Sequence, residues 1–174
     1  MATTRLFISE PFEIPFATSD NHSCTKRIRA EHVKQFWKSK GVDSFAGKQG
    51  CYVFAMRAGK GYRVWYVGKT KNKFSAECFQ SHKLEKYNEV LFEGRKGTPV
   101  MFFIAPRDGV IVVDKHDLAS MEKQLIQIAY AKNPELKNVH GTNPDTWVID
   151  GVVRSGQGKP SVNARRFRTM MGLK

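Results

Sequence analysis

Hydrophobic positions change their period several times along this chain. Gln49–Met56 (QGCYVFAM) and Tyr62–Val67 (YRVWYV) are short runs rich in strand-forming residues. Between them lies Arg57-Ala58-Gly59-Lys60-Gly61, whose two glycines supply the positive φ that a tight turn needs. The two runs are therefore predicted to pair as a β-hairpin. Before them, Val33, Phe36 and Trp37 recur at helical spacing within Ala30–Lys40, and Gly41 sits just past the end. After a polar loop at Gly68–Lys73, residues Phe74–Phe92 read as helical. Their apolar positions do not share one stripe: Phe74 and Cys78 fall on one side, and Leu84, Tyr87 and Leu91 on another. A break near His82 is expected. Val100–Ala105 (VMFFIA) is a continuous apolar run that predicts a central strand. A turn at Asp108-Gly109 and a short return strand over Val110–Val113 follow. Asp117–Ala131 has the clearest helical period and stops at Asn133-Pro134. Residues 134–146 are rich in turn formers, and Trp147–Val153 predicts a last strand. Residues 1–29, with Pro11 and Pro15, read as irregular. The order of hairpin, helices, strand and helix gives an α+β fold, a small mixed or antiparallel sheet flanked by helices.

Composition adds a partner class. The chain has 174 residues, with 29 Lys and Arg against 16 Asp and Glu, a net charge of +13. Such an excess in one domain's length points to a polyanion, nucleic acid first. No apolar run approaches the ~20 residues that cross a bilayer. No helix pairs a basic face with a strongly apolar one, which argues against a membrane partner. The first ten residues lack a secretory pattern, so a cytoplasmic location is the expectation. Cys24, Cys51 and Cys78 are odd in number and far apart, with no CxxC pair. A disulfide framework and a thiolate zinc site are both disfavoured.

One residue breaks the pattern of the last helix. Leu118, Leu125 and Ala129 share a face, widened by Met121, Ile126 and Ile128, and Glu122 falls in its middle. A carboxylate there costs several kcal/mol unless something pairs with it. A basic side chain, hydrogen-bond donors or a metal ion would each serve.

Gly50-Cys51-Tyr52 on the first hairpin strand and Tyr66-Val67-Gly68 on the second, followed by the basic loop Gly-Lys-Thr-Lys-Asn at 68–72, resemble the two-part signature of the GIY-YIG nuclease superfamily. The resemblance covers about residues 47–141. It leaves 1–46 as an N-terminal extension with a short helix and 142–174 as a basic C-terminal extension packed on the same domain. It implies a metal-dependent endonuclease, or a binding module that kept the fold without the chemistry. DNA stands ahead of RNA as the partner. Glu122 falls where the family places its metal-binding glutamate, and the implied ion is Mg²⁺ or Mn²⁺. Tyr52 takes the place of the proposed general base, which requires nearby positive charge to lower its pKa. Tyr66 is implied to position water or phosphate, Asn138 to brace the site, and His82 to contact phosphate or relay a proton.

The family also carries an arginine at the start of the helix after its second tripeptide. No arginine occurs between Gly68 and Gly94. Placing His82 on the family's histidine puts Cys78 at that position, and ungapped counting from Gly68 puts Ala76 there. Lys69, Lys73, Lys83 and Lys86 are the candidate replacements, Lys83 foremost because it adjoins His82. Lys71 joins Lys69, Lys73 and Lys86 as an expected phosphate contact. In the tail, Arg165, Arg166 and Arg168 flank Phe167 and form a second candidate contact with nucleic acid, and Lys26–Arg29 a third.

Overall fold

The computed structural model describes residues 5–18, 26–93, 96–106, 112–142, 152 and 158–172. The expected hairpin is present and longer than its hydrophobic pattern. β5 (Gly50–Ala58) and β6 (Gly61–Thr70) pair antiparallel around a turn of only two residues, Gly59 and Lys60. Gly68–Thr70, expected in a loop, continue the strand. A register shift between Phe54 and Ala55 leaves Trp65 as an extra residue on β6. β7 (Thr98–Pro106) is the predicted central strand and pairs antiparallel with β5 on the side away from β6.

The N-terminal segment corrects the expectation of irregular chain. β1 (Leu6–Ile8) and β2 (Phe12–Glu13) both pair antiparallel with β7, so the five-stranded sheet runs β1-β7-β5-β6 with β2 also on β7. β3 (Ala17–Thr18) and β4 (Lys26–Arg27) form a separate two-stranded ladder. Strands of two or three residues carry too few positions to show a period of two.

Helices flank the sheet, giving the α+β class. α1 (Ala30–Lys38) sends Phe36 into the core. The predicted break is real: α2 (Phe74–Glu77) ends and α3 (Ser81–Phe92) begins three residues on. α4 (Lys115–Lys132) starts two residues earlier than its apolar period. Asp114 is its N-cap, accepting a hydrogen bond from the His116 N–H at 2.7 Å. Among the described residues no helix is long and apolar enough to cross a membrane.

Alternation along β5 sorts the interior into two clusters. Tyr52, Phe54 and Met56 join Phe36, Phe74, Cys78, Tyr87, Val90, Leu91 and Phe103 in the larger one, under α1 and α3. Val53 packs on the smaller one, Val67, Ile126, Ala129 and Leu136, beneath α4. Ile128, expected in the buried stripe of α4, is 65% exposed. Cys51 and Cys78 are buried free thiols.

The chain clusters into two compact units, residues 1–142 and 143–174. Residues 1–46 fall in the same unit as the hairpin. In the second unit α5 (Val162–Met170) is capped by the Ser161 hydroxyl, which accepts from the Ala164 N–H at 3.1 Å. The turn at 108–109, most of the return strand at 110–113 and the strand at 147–153 lie outside the described residues. The described Val112 and Val113 are not in a strand.

Candidate functional site

Two glycines of the signature are explained by close approach. A Cβ on Gly50 would overlap the Ile104 carbonyl oxygen of β7, at a φ of 148°. A Cβ on Gly68 would overlap the ring and hydroxyl of Tyr52, its register partner across the hairpin. The phenol therefore lies flat over a residue that has no side chain.

That packing decides the chemistry of Tyr52. The side chain is fully buried, and its hydroxyl has no hydrogen-bond partner among the described residues. Burial pushes its pKa far above the usual phenol value, and Tyr87, Cys78, Tyr66 and Glu77 push in the same direction. The expectation of a phenol lowered by nearby positive charge is overturned. Lys83 Nζ does lie 5.5 Å from the Tyr52 ring centroid, but over its face. Desolvation outweighs it.

Lys83 is corrected too. It is only 5% exposed, and its ammonium is committed to the Glu77 carboxylate and, at 3.0 Å, to the Glu77 carbonyl. A lysine closed in this way is a structural ion pair across the α2–α3 break, not a cation open to phosphate.

Tyr66 meets other conditions. It stacks on Tyr52 with centroids 6.4 Å apart yet is only partly buried. Its hydroxyl is pushed up to about 12, by desolvation first, then by the charges of Glu122, Glu77 and Cys78. It stays a neutral donor at ordinary pH. Lys86, half-buried on α3, holds its Nζ 5.4 Å from the Tyr66 ring centroid.

Glu122 reaches the same neighbourhood from the opposite face of the sheet. Cys51, one residue from Tyr52, turns its sulfur toward the Leu118 carbonyl of α4, and Lys69 is its register partner. Glu122 pairs with the Lys69 ammonium, and the two side chains keep 21% and 39% exposure. Burial pushes Cys51 up to about 12, and Glu122 adds to the shift while Lys69 opposes it. Of the three partners left open by the sequence, the basic side chain is the one observed. The acid is not sealed inside, and its charge contributes to the raised pKa of Tyr66.

Asn138 bonds the strand that carries Tyr66. Its Oδ1 accepts from the Val67 N–H at 2.9 Å, and its Nδ2 donates to the Val67 carbonyl at 2.8 Å. One side chain thus stands in for a neighbouring strand along the free edge of β6, between Tyr66 and Gly68. Asn133 was not singled out from sequence, yet it acts in the same manner. Its Nδ2 donates to the Val64 carbonyl at 2.7 Å, and its Oδ1 accepts from Arg63 at 2.7 Å. The signal available was two asparagines within a turn-rich stretch beside a strand that needed an edge partner.

The remaining candidates are dispersed. His82, Lys71 and Lys73 are exposed, His82 in the first turn of α3. Arg165 and Arg166 are exposed on α5 and Arg168 partly so, in the second unit. Phe167 is 41% and Met170 72% exposed. In the third candidate contact, Lys26 is tied to the Gly97 carbonyl and only Arg27 and Arg29 remain exposed. Among the described residues no three His, Cys, Asp or Glu side chains come together as a metal cluster.

Tyr66, beneath the Lys86 ammonium, and Lys69, paired with Glu122, both sit on β6, on opposite faces of the sheet. No family model matches the chain, and no curated protein or solved structure matches it either.

Proposed function

We propose that the protein binds nucleic acid, DNA ahead of RNA, and hydrolyses its phosphodiester bonds at the β6 edge as a divalent-metal-dependent endonuclease of GIY-YIG type. The observation that carries this reading is Glu122, an acid kept accessible beside Lys69 and within electrostatic reach of the Tyr66 hydroxyl. The net charge of +13 supplies the affinity for a polyanion.

A lone carboxylate fits Mg²⁺ or Mn²⁺ of the kind that keeps most of its waters. It does not fit an ion caged by several acids. When bound, such an ion neutralises charge developing on the leaving oxygen. Glu122 would hold it once Lys69 lets go of the carboxylate, and the Lys69 ammonium would then turn to a phosphate oxygen. Tyr66, protonated, would donate a hydrogen bond to phosphate or water. Asn138 would fix β6, and with it the directions of Tyr66 and Lys69. His82 is the exposed group on α3 suited to take up a proton. Lys71 and Lys73 would follow the phosphate backbone away from the scissile bond, and the arginines of α5, in the second unit, would be a separate phosphate contact. Tyr52 has no part in proton transfer here.

A second reading is favoured by one feature. Lys69 already neutralises Glu122, and no arginine occurs between Gly68 and Gly94. A module of this kind binds nucleic acid without cutting it. Nicking of supercoiled plasmid, with binding measured in parallel, separates the two. The hydrolytic reading expects cleavage with Mg²⁺ or Mn²⁺ that Glu122→Gln abolishes while the Kd changes by no more than about threefold, since the carboxylate itself contacts no phosphate. Tight, salt-sensitive binding with no cleavage under any divalent ion establishes the second reading instead.

A further inference from the structure

We propose that Lys86, one turn beyond His82 on α3, is the cation that holds the scissile phosphate in place of the missing arginine. This rests on the hydrolytic reading above and identifies a residue of that same site. Lys69, Lys73, Lys83 and Lys86 are the candidate replacements, and the structure separates them by what each ammonium already touches. Lys83 is buried on Glu77. Lys69 is paired with Glu122 and becomes available only when the carboxylate is taken by another cation. Lys73 is exposed at the N-cap of the short α2, where its side chain makes no cap bond. Lys86 alone lies over a site residue without being consumed by an acid. Its ammonium faces the Tyr66 ring, and it forms no ion pair among the described residues.

Helix geometry makes this placement specific. Lys83, Tyr87, Val90 and Leu91 are the buried stripe of α3. Lys86 and His82 are four residues apart, so they share the flank beside that stripe. The same flank carries Glu89 and Glu93, whose carboxylates take Lys137 at 3.7 and 2.7 Å. The Lys137 N–H in turn bonds the Trp65 carbonyl at 2.8 Å. The flank is thereby held along the outer edge of β6, one residue from Asn138. A phosphate resting on the Tyr66 hydroxyl would meet Lys86 and His82 from α3. A cation held by its aromatic face can turn toward a phosphate without first breaking a salt bridge, which Lys83 would have to do.

The test uses the full chain and plasmid DNA with Mn²⁺, reading single-turnover cleavage and Kd separately. Lys86→Ala should lower the cleavage rate by about 100-fold, the scale of one lost transition-state contact. Its Kd should shift by less than about threefold, one phosphate contact among many. Lys86→Arg should recover cleavage to within about tenfold of the unsubstituted protein, because a guanidinium keeps the charge and adds a fork. Circular dichroism establishes that both variants are folded. Cleavage by Lys86→Ala at the original rate, in a protein that Glu122→Gln inactivates, overturns the assignment and leaves the hydrolytic reading standing. A loss confined to Kd also overturns it, making Lys86 an ordinary backbone contact. An unsubstituted protein that never cleaves overturns the reading and the assignment together.

Discussion

Tyr52 and Tyr66 stack on neighbouring strands 6.4 Å apart, and their surroundings differ in nearly every respect that matters for chemistry. Tyr52 is sealed over Gly68, with α3 and Phe74 around it and no partner for its hydroxyl among the described residues. Tyr66 stands at the sheet's edge, with Lys86 over its ring and the charge of Glu122 reaching its hydroxyl. The interior region is built for packing, and the edge region leaves its phenol partly exposed. A tyrosine in a motif is therefore not by itself a reacting group. Its depth, fixed by the residue across the hairpin, decides whether the phenol packs or reacts.

The sharpest way to break the comparison is to fill the space that defines it. Gly68→Ala drives a methyl into the enclosed Tyr52 ring. It should cost about 3 kcal/mol or more, at the upper end of overpacking penalties, read from urea midpoints. A loss under about 0.5 kcal/mol, within the range of ordinary surface substitutions, would mean that Tyr52 is not confined.

The paired phenylalanine variants come next. Tyr66→Phe should slow cleavage on the order of 100-fold, the loss of one transition-state hydrogen bond, with little change in stability. Tyr52→Phe removes an unpartnered buried hydroxyl, so it should leave cleavage intact and raise stability by up to about 1 kcal/mol. The reverse assignment of effects would restore Tyr52 as the reacting phenol.

Alkaline titration gives the smallest effect. Both phenols are held above the ordinary value of about 10 in the folded chain, so the unfolded chain releases these protons first. The stability they contribute is intact below pH ~10 and is lost as pH rises through about 12 for Tyr66. Phenolate absorbance, compared with that of Tyr66→Phe, should show Tyr66 ionising before denaturation and Tyr52 only with it. Ionisation of Tyr52 at the lower pH would contradict its burial.

Much of this fold was legible in the residues. The hairpin declared itself through two β-rich runs around a glycine turn, and β7 through the unbroken VMFFIA run. The break before α3 followed from Phe74–Cys78 and Leu84–Tyr87–Leu91 pointing to different sides. β1 and β2 were illegible because pairs this short have no period. Ile128 was misread because an apolar residue on the margin of a helical stripe is buried only if a neighbour covers it.

The candidate residues were legible singly more than in their surroundings. Glu122 stood out because an acid interrupted an apolar stripe, and Asn138 because a turn-rich stretch follows the helix. Alternation told that Tyr52 faced one side of the sheet, not how deep it lay. Lys83 was misread because lysine is rarely buried, and only the approach of Glu77 across the helix break makes its burial affordable.

The central claim is that the Glu122 carboxylate exchanges Lys69 for a divalent cation when nucleic acid occupies the edge of β6. Crystals grown with Mn²⁺ and a short non-hydrolysable DNA test this directly, through the anomalous signal of manganese. The account predicts a peak on the Glu122 carboxylate, with Lys69 turned away onto a phosphate oxygen. An intact Lys69–Glu122 pair, with DNA bound and no manganese at the carboxylate, would contradict it.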